Sequence, residues 1–162
     1  MNDMAHAVLR LLEENKIDHT LAEHPAVFNM EELYAQGLKH CDAIAKNLLV
    51  RDQKKRFYWL LVLYGEKRAD LKALKARLGH GALSFAGAEE LAELLGLTPG
   101  SVTPFGALND KEHRVTLLLD EDYRGKLIGV HPNDNTATVW LPADALVELL
   151  RQQGTTVEFI PF

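Results

Sequence analysis

Lys46 and Asn47 interrupt a run that otherwise reads as core, Ala43-Ile44-Ala45-Lys46-Asn47-Leu48-Leu49-Val50. Ile44, Leu48, Leu49 and Val50 favour an apolar interior, where an ammonium is costly unless something anionic or electron-rich meets it. The lysine therefore either reaches water along its own stem or stands in a pocket that receives such a ligand. Asn47 adds a second polar side chain that needs a partner on the same run.

Three loops carry residues that packing alone does not demand. His24-Pro25-Ala26-Val27-Phe28 is apolar yet bracketed by turn formers. Gly100-Ser101-Val102-Thr103-Pro104 is a Gly-x-x-x-Pro turn, which offers backbone amides in a fixed geometry, as an oxyanion or carbonyl binder needs. In Gly129-Val130-His131-Pro132-Asn133-Asp134-Asn135 a histidine ends a strand, and the Asn and Asp residues that follow can hold a turn or a ligand. Each of these also has an ordinary structural reading, as a plain turn or a surface histidine.

Other chemistry is poorly supported. Cys41 has no flanking motif, and no His, Cys or Asp cluster has zinc-ligand spacing, so no metal or cofactor is expected. Glu89 and Glu90 open a helix, where the dipole favours acids. There is no phosphate-cradling Gly-x-x-x-x-Gly-Lys-Ser/Thr loop and no Gly-x-Gly-x-x-Gly.

The elements that must hold these residues follow from periodicity and punctuation. Helices are predicted over 4–15, 30–36, 70–77, 88–95 and 142–153, and strands over 17–23, 41–50, 57–64, 83–85, 114–119, 126–130, 136–141 and 156–160. The run Phe57 to Tyr64 is the most apolar in the chain; it reads as a strand buried on both faces and paired with the lysine strand. Strands and helices interleave without strict β-α-β order. The expected fold class is α/β in the broad sense: a mixed, mostly antiparallel sheet surrounded by helices.

A chain of 162 residues supports one domain, 1–162, with a sizeable core. One cysteine excludes an internal disulfide and fits a reducing cytoplasm. No apolar run approaches the roughly 18 residues of a membrane span. The start, Met1-Asn2-Asp3-Met4, lacks a basic region followed by an apolar one, so neither a membrane partner nor a secretory signal is expected. The net charge of −5 argues against wrapping a long polyanion, but its distribution is uneven. Arg51 to Arg77 carries nine Lys/Arg against three acids, net +6, whereas the rest is net −11. A compact basic face on an acidic protein can steer a phosphate-bearing partner to one place.

Taken together, Glu23-His24-Pro25-Ala26-Val27-Phe28, Ala45-Lys46-Asn47-Leu48, Gly100-Ser101-Val102-Thr103-Pro104-Phe105-Gly106 and Gly129-Val130-His131-Pro132-Asn133 resemble the YbaK/ProX family. These are editing domains related to the insertion domain of bacterial prolyl-tRNA synthetase. The resemblance runs over nearly the whole chain and is nearest the free-standing ProX-type branch, which deacylates alanyl-tRNA(Pro).

The resemblance implies a hydrolase acting on misacylated tRNA without a cofactor. Lys46 would contact the terminal adenosine or its phosphate, Gly100 to Pro104 would polarise the scissile carbonyl, and His131 would line the aminoacyl pocket. His24, Val27, Phe28, Met30, Asn47, Gly129 and Asn133 would complete the substrate site. The basic segment, through Arg51, Lys54, Lys55 and Arg56, would meet the acceptor-stem backbone. Misacylated tRNA is the implied partner, with prolyl-tRNA synthetase or an elongation factor as further ones. Two alternatives stay open: a cysteinyl- or seryl-tRNA deacylase of the same family, and a non-catalytic module that binds tRNA or a synthetase.

Overall fold

Every residue from Tyr58 to Leu63 is buried, and the larger sheet is assembled around that strand. A computed structural model describes residues 1–162. In it five strands lie in the order β4-β2-β3-β5-β8: β2 is Ala45–Asp52, β3 Tyr58–Tyr64, β4 Leu83–Phe85, β5 Val115–Asp120 and β8 Val157–Ile160. β3 runs antiparallel to β2 and parallel to β5, and β5 runs parallel to β8. Lack of alternation in β3 follows from cover on both faces. Tyr58, Leu60 and Val62 enter the main core with Leu117 and Leu119, whereas Trp59 and Leu61 pack with Val50, Leu118 and Ile160 beneath Leu74.

Helices α1 (Asp3–Glu14), α4 (Ala88–Leu95) and α5 (Ala143–Gln152) cover the main core through Val8 and Leu12, Leu91 and Leu95, and Leu146 and Leu150. Helix α3 (Leu71–Leu78) covers the other face. Asp70 caps α3 through its carboxylate, which accepts from the amides of Lys72 and Ala73, and Gly79 ends it at φ +68°. The short helix α2 (Met30–Tyr34) starts at Asn29, whose side chain accepts from the Glu32 amide.

The mixed, mostly antiparallel architecture agrees with the sequence reading, but the strands divide between two sheets. β1 (Thr20–Glu23), β7 (Ala137–Pro142) and β6 (Leu127–Val130) form a separate antiparallel sheet in the order β1-β7-β6. A single parallel bridge, Ile44 to Gly129, joins the two sheets and brings the Lys46 end of β2 against the end of β6.

The lysine strand also starts later than its apolar run suggests. Cys41–Ala43 is a 3-10 turn, entered through His40 at φ +55°. Tertiary contacts fix it there: the Trp140 indole donates to the His40 carbonyl at 3.1 Å, and the Tyr123 hydroxyl donates to the Ala43 carbonyl at 3.0 Å. Burial pushes the Tyr123 phenol far up, so it stays a donor at any ordinary pH.

Candidate active site

β4 pairs with β2 only from Val50 to Asp52, which leaves the outer edge of β2 without a strand from Ala45 to Leu48. That open edge is one wall of a cleft of about 270 Å³. The Gly100 turn, the start of α2 and the ends of β6 and β7 close it. Val27, Met30, Leu33, Ile44, Val102 and Val130 make it largely apolar.

The two polar residues of β2 open onto this cleft. Lys46 pairs with Leu63 across the sheet and is half-buried, and its ammonium makes no ion pair within the chain. It stands between the cleft and an adjoining hollow lined by Tyr34, Gly65 and Glu66. Lys67, by contrast, is fully engaged, at 2.9 Å from Asp120 Oδ2 and 2.6 Å from Asp122 Oδ2. Asn47 Oδ1 is buried with no hydrogen-bond partner, and its amide nitrogen reaches only the Ala45 carbonyl at 3.5 Å. A buried acceptor left unpaired is costly, and this one, alone among the buried unpaired side-chain atoms, lies on the cleft, where a ligand donor can meet it.

His131 lines the cleft with a defined tautomer. Its Nδ1 lies 2.7 Å from the Ala137 carbonyl, which can only accept, so Nδ1 carries the hydrogen and Nε2 is left as an acceptor. Burial holds the His131 pKa below the usual histidine value, outweighing the carbonyl contact that raises it. His24 stands behind it, with ring centroids 6.0 Å apart. Its Nδ1 donates to the Pro25 carbonyl at 2.9 Å, so its Nε2 accepts from the Thr138 hydroxyl, also at 2.9 Å.

The Gly100 turn passes close to the rim. Gly100 has φ +91°, and a Cβ there would meet Phe28 Cα at 3.1 Å. Ser101 ties the turn to Thr98, and the Thr103 hydroxyl donates to the His131 carbonyl, which fixes the turn to the end of β6. The amides of Gly100 and Val102, both on the cleft wall, donate no hydrogen bond within the chain. Two free N–H groups on an anchored turn beside an apolar cleft can polarise a carbonyl oxygen.

Lys46, Asn47, Val27, Phe28, Met30, Gly100, Gly129 and His131 thus converge on one cleft, and His24 backs it. Two expected site residues do not reach it. Pro104 is buried at the start of a 3-10 helix, Pro104–Asn109, where its fixed φ suits the first turn. Asn133 is buried at φ +61° and donates to the Phe105 carbonyl, so it shapes the turn and does not touch the cleft. Arg51 is engaged with Glu90 at 3.2 Å and with the Asp52 carbonyl at 3.0 Å. Lys54, Lys55 and Arg56 lie on the exposed β2–β3 turn, about 20 Å along the strand from Lys46.

Sequence reasoning missed Thr138, fully buried on β7 and lining the cleft, and also Leu33 and Val102. A threonine within an apolar strand is the same signal as Asn47, but threonine also suits strands for its branched side chain. No group of three His, Cys, Asp or Glu side chains is placed to hold a metal ion, and no helix is long and apolar enough to cross a membrane.

Residues 24–149 match the aminoacyl-tRNA editing domain, and the chain belongs to that family. It is 40% identical over 159 residues to the prolyl-tRNA editing protein ProX of Acetoanaerobium sticklandii, covering 98% of this chain and 97% of the relative. It is 34% identical to prolyl-tRNA synthetase associated domain-containing protein 1 of Danio rerio, over 96% of this chain and 86% of that one. A crystal structure described as a candidate trans-editing enzyme for prolyl tRNA synthetase has the same fold. It superposes with a TM-score of 0.71 over 100% of this chain and 99% of its own, at 24% identity.

Proposed function

We propose that the chain is a trans-editing hydrolase that cleaves the aminoacyl ester of mischarged tRNA, with alanyl-tRNA(Pro) as its principal substrate. The observation that carries this reading is the cleft itself: an unpaired ammonium, an unpaired buried acceptor and an anchored turn with free amides around a small apolar space. Its wall of Val27, Met30, Leu33 and Val102 suits an apolar acyl group. The name carried by the Acetoanaerobium relative supports the same choice. The whole chain, 1–162, is read as one such domain, working in the cytoplasm where tRNA is charged.

An aminoacyl ester is already activated, so catalysis needs a placed water and a stabilised oxyanion, not a strong nucleophile. In this reading the acyl side chain sits against Val27, Met30 and Val102. The substrate ammonium donates to Asn47 Oδ1 and His131 Nε2, both acceptors without a partner in the chain. The carbonyl oxygen takes the free amides of the Gly100 turn, and Lys46 holds the terminal adenosine or its phosphate. Water adds to the carbonyl carbon, the bond to the ribose oxygen breaks, and that oxygen leaves with a proton. The neighbouring ribose hydroxyl of the substrate is assigned as the group that relays the water's proton. Hydrolysis of tRNA lacking that hydroxyl at the normal rate would end this assignment.

Selectivity against proline is steric: a cleft too tight for the ring excludes it, whereas a synthetase site shaped for proline cannot strongly refuse alanine. The test is a panel of alanyl-, cysteinyl-, seryl- and prolyl-tRNA. Rapid loss of the alanyl ester with the prolyl ester intact is expected. Faster loss of the cysteinyl or seryl ester would reassign the substrate, and binding without any ester loss would leave only a binding module. Association with prolyl-tRNA synthetase or an elongation factor follows as a proposal, since an ester made by the synthetase must be intercepted before use.

A further inference from the structure

The far end of the same β2–β3 ladder carries a feature that ester hydrolysis does not use. Phe57 and Phe85 are two of only five large apolar side chains exposed in the protein, at 46% and 52%. They share one sheet face, because Phe85 pairs with Val50, Val50 pairs with Trp59, and Phe57 lies two residues before Trp59. Phe57 is held in an aromatic group: its ring is 6.1 Å from Trp59 and 4.9 Å from His80, and His80 is 4.9 Å from Trp59. The Arg56 guanidinium lies 5.8 Å above the Phe57 ring.

Cations that make no ion pair lie near these rings along the chain. Lys54 and Lys55 on the turn, and Lys75 and Arg77 in the last turn of α3, are exposed and enter no ion pair. Lys75 is tied to the aromatic group through its carbonyl, which accepts from the His80 amide at 3.3 Å. By strand alternation Lys46, Leu48 and Val50 point to this same face, which α3 partly covers, so the rings and the cleft lysine share one side of the sheet, with Phe85 about 13 Å and Phe57 about 20 Å along the strand from Lys46.

We propose that Phe57 and Phe85, with Lys54, Lys55, Lys75 and Arg77, form a second RNA contact that takes the tRNA where its unpaired 3′ end meets the duplex. Exposed rings among unpaired cations suit nucleic acid: the cations track phosphates while the rings stack on bases or riboses without reading sequence. The spacing from Lys46 makes the contact a ruler, engaged only when an RNA longer than the terminal few nucleotides is present. This contact rests on the tRNA reading above, and its test is chosen to separate the two.

The double variant Phe57→Ser/Phe85→Ser and the pair Lys75→Gln/Arg77→Gln are compared with the unaltered protein on alanyl-tRNA and on an alanyl-CCA trinucleotide too short to reach the rings. Each variant is expected to raise KM for alanyl-tRNA about tenfold at unchanged kcat, and to hydrolyse the trinucleotide as the unaltered protein does. Equal losses on both substrates, no loss on either, or loss confined to synthetase association with tRNA affinity intact would each overturn the contact. Anisotropy with uncharged tRNA needs no turnover. A protein that binds tRNA through these rings yet cleaves no ester would remove the hydrolase reading and leave the contact standing.

Discussion

The two ends of β2 treat their polar groups in opposite ways. At the hairpin end Asp52 is buried, and its Oδ1 accepts from the amides of Arg56 at 2.7 Å and Phe57 at 3.0 Å. Next to it, Arg51 is closed off by Glu90. At the cleft end Lys46 has no counter-ion and Asn47 Oδ1 has no donor. One strand therefore has an end where Asp52 and Arg51 are engaged in holding the fold, although Glu90 Oε2 beside them is unpaired, and an end on the cleft where neither polar residue is engaged. Unspent hydrogen-bonding capacity in a cleft is a better pointer to chemistry than residue type, since Lys67 and Lys46 are the same residue with different fates.

Substitutions can break this contrast at the cleft end first. Lys46→Ala should lower kcat/KM for alanyl-tRNA by about 10²–10³ while leaving circular dichroism and the melting temperature unchanged, because nothing in the fold depends on that ammonium. Asn47→Leu should cost less in rate, about tenfold, and should raise stability, since it removes an unpaired buried acceptor. A fall in stability would mean that the atom is satisfied in the free protein.

Gly100→Ala sits between the two behaviours. It forces a Cβ against the Phe28 backbone at φ +91°, so it should cost about 1–2 kcal/mol in denaturant titrations together with a loss of activity. At the hairpin end the order reverses. Asp52→Ala should lower the melting temperature more than Asp52→Asn, which keeps the accepting oxygen, and both should retain normal turnover on a short alanyl-CCA substrate. The amide hydrogen bond from Phe57, ahead of that from Arg56 and the Arg56 charge, holds the Asp52 carboxyl below its usual pKa. Its contribution to stability is therefore complete above the ordinary carboxylate range and fades as pH falls through the lowered value. The smallest effect belongs to Lys54→Gln and Lys55→Gln: each should reduce the salt slope of tRNA binding by about one unit, with kcat unchanged.

His131 tests the same contrast through pH. Its pKa is depressed by burial, so the neutral ring persists below the ordinary histidine range. Turnover should stay flat as pH falls through about 6.5 and drop only at lower pH. Stability should decline over the same interval, because the unfolded chain binds the proton first.

Much of the cleft end is legible in the sequence, because a lysine and an asparagine inside an apolar run violate the pattern around them. Gly100 is legible as a turn, though its reason, close approach to Phe28, is not. Thr138 is hidden because a threonine in a strand breaks no rule. Asn133 misleads because the residue type that could bind a ligand is also the one that tolerates φ +61° in a turn. The late start of β2 is invisible locally, since it is set by Tyr123 and Trp140 from far along the chain. Division into two sheets is equally non-local: β1 chooses β7, with Thr20 opposite Trp140, and no nearby residue dictates that choice.

Gly129 carries a consequence for how such a pocket can diverge. A methyl group there would strike the Trp140 indole at 2.7 Å and Ile44 at 3.1 Å, at the one joint that couples the sheets. Mutational drift at this joint would pry the halves apart before it altered which acyl group fits. Val102, which bears on the cavity but packs outside the cluster that Ile44 and Trp140 share, is where a descendant of this chain can trade one small amino acid for another and still fold.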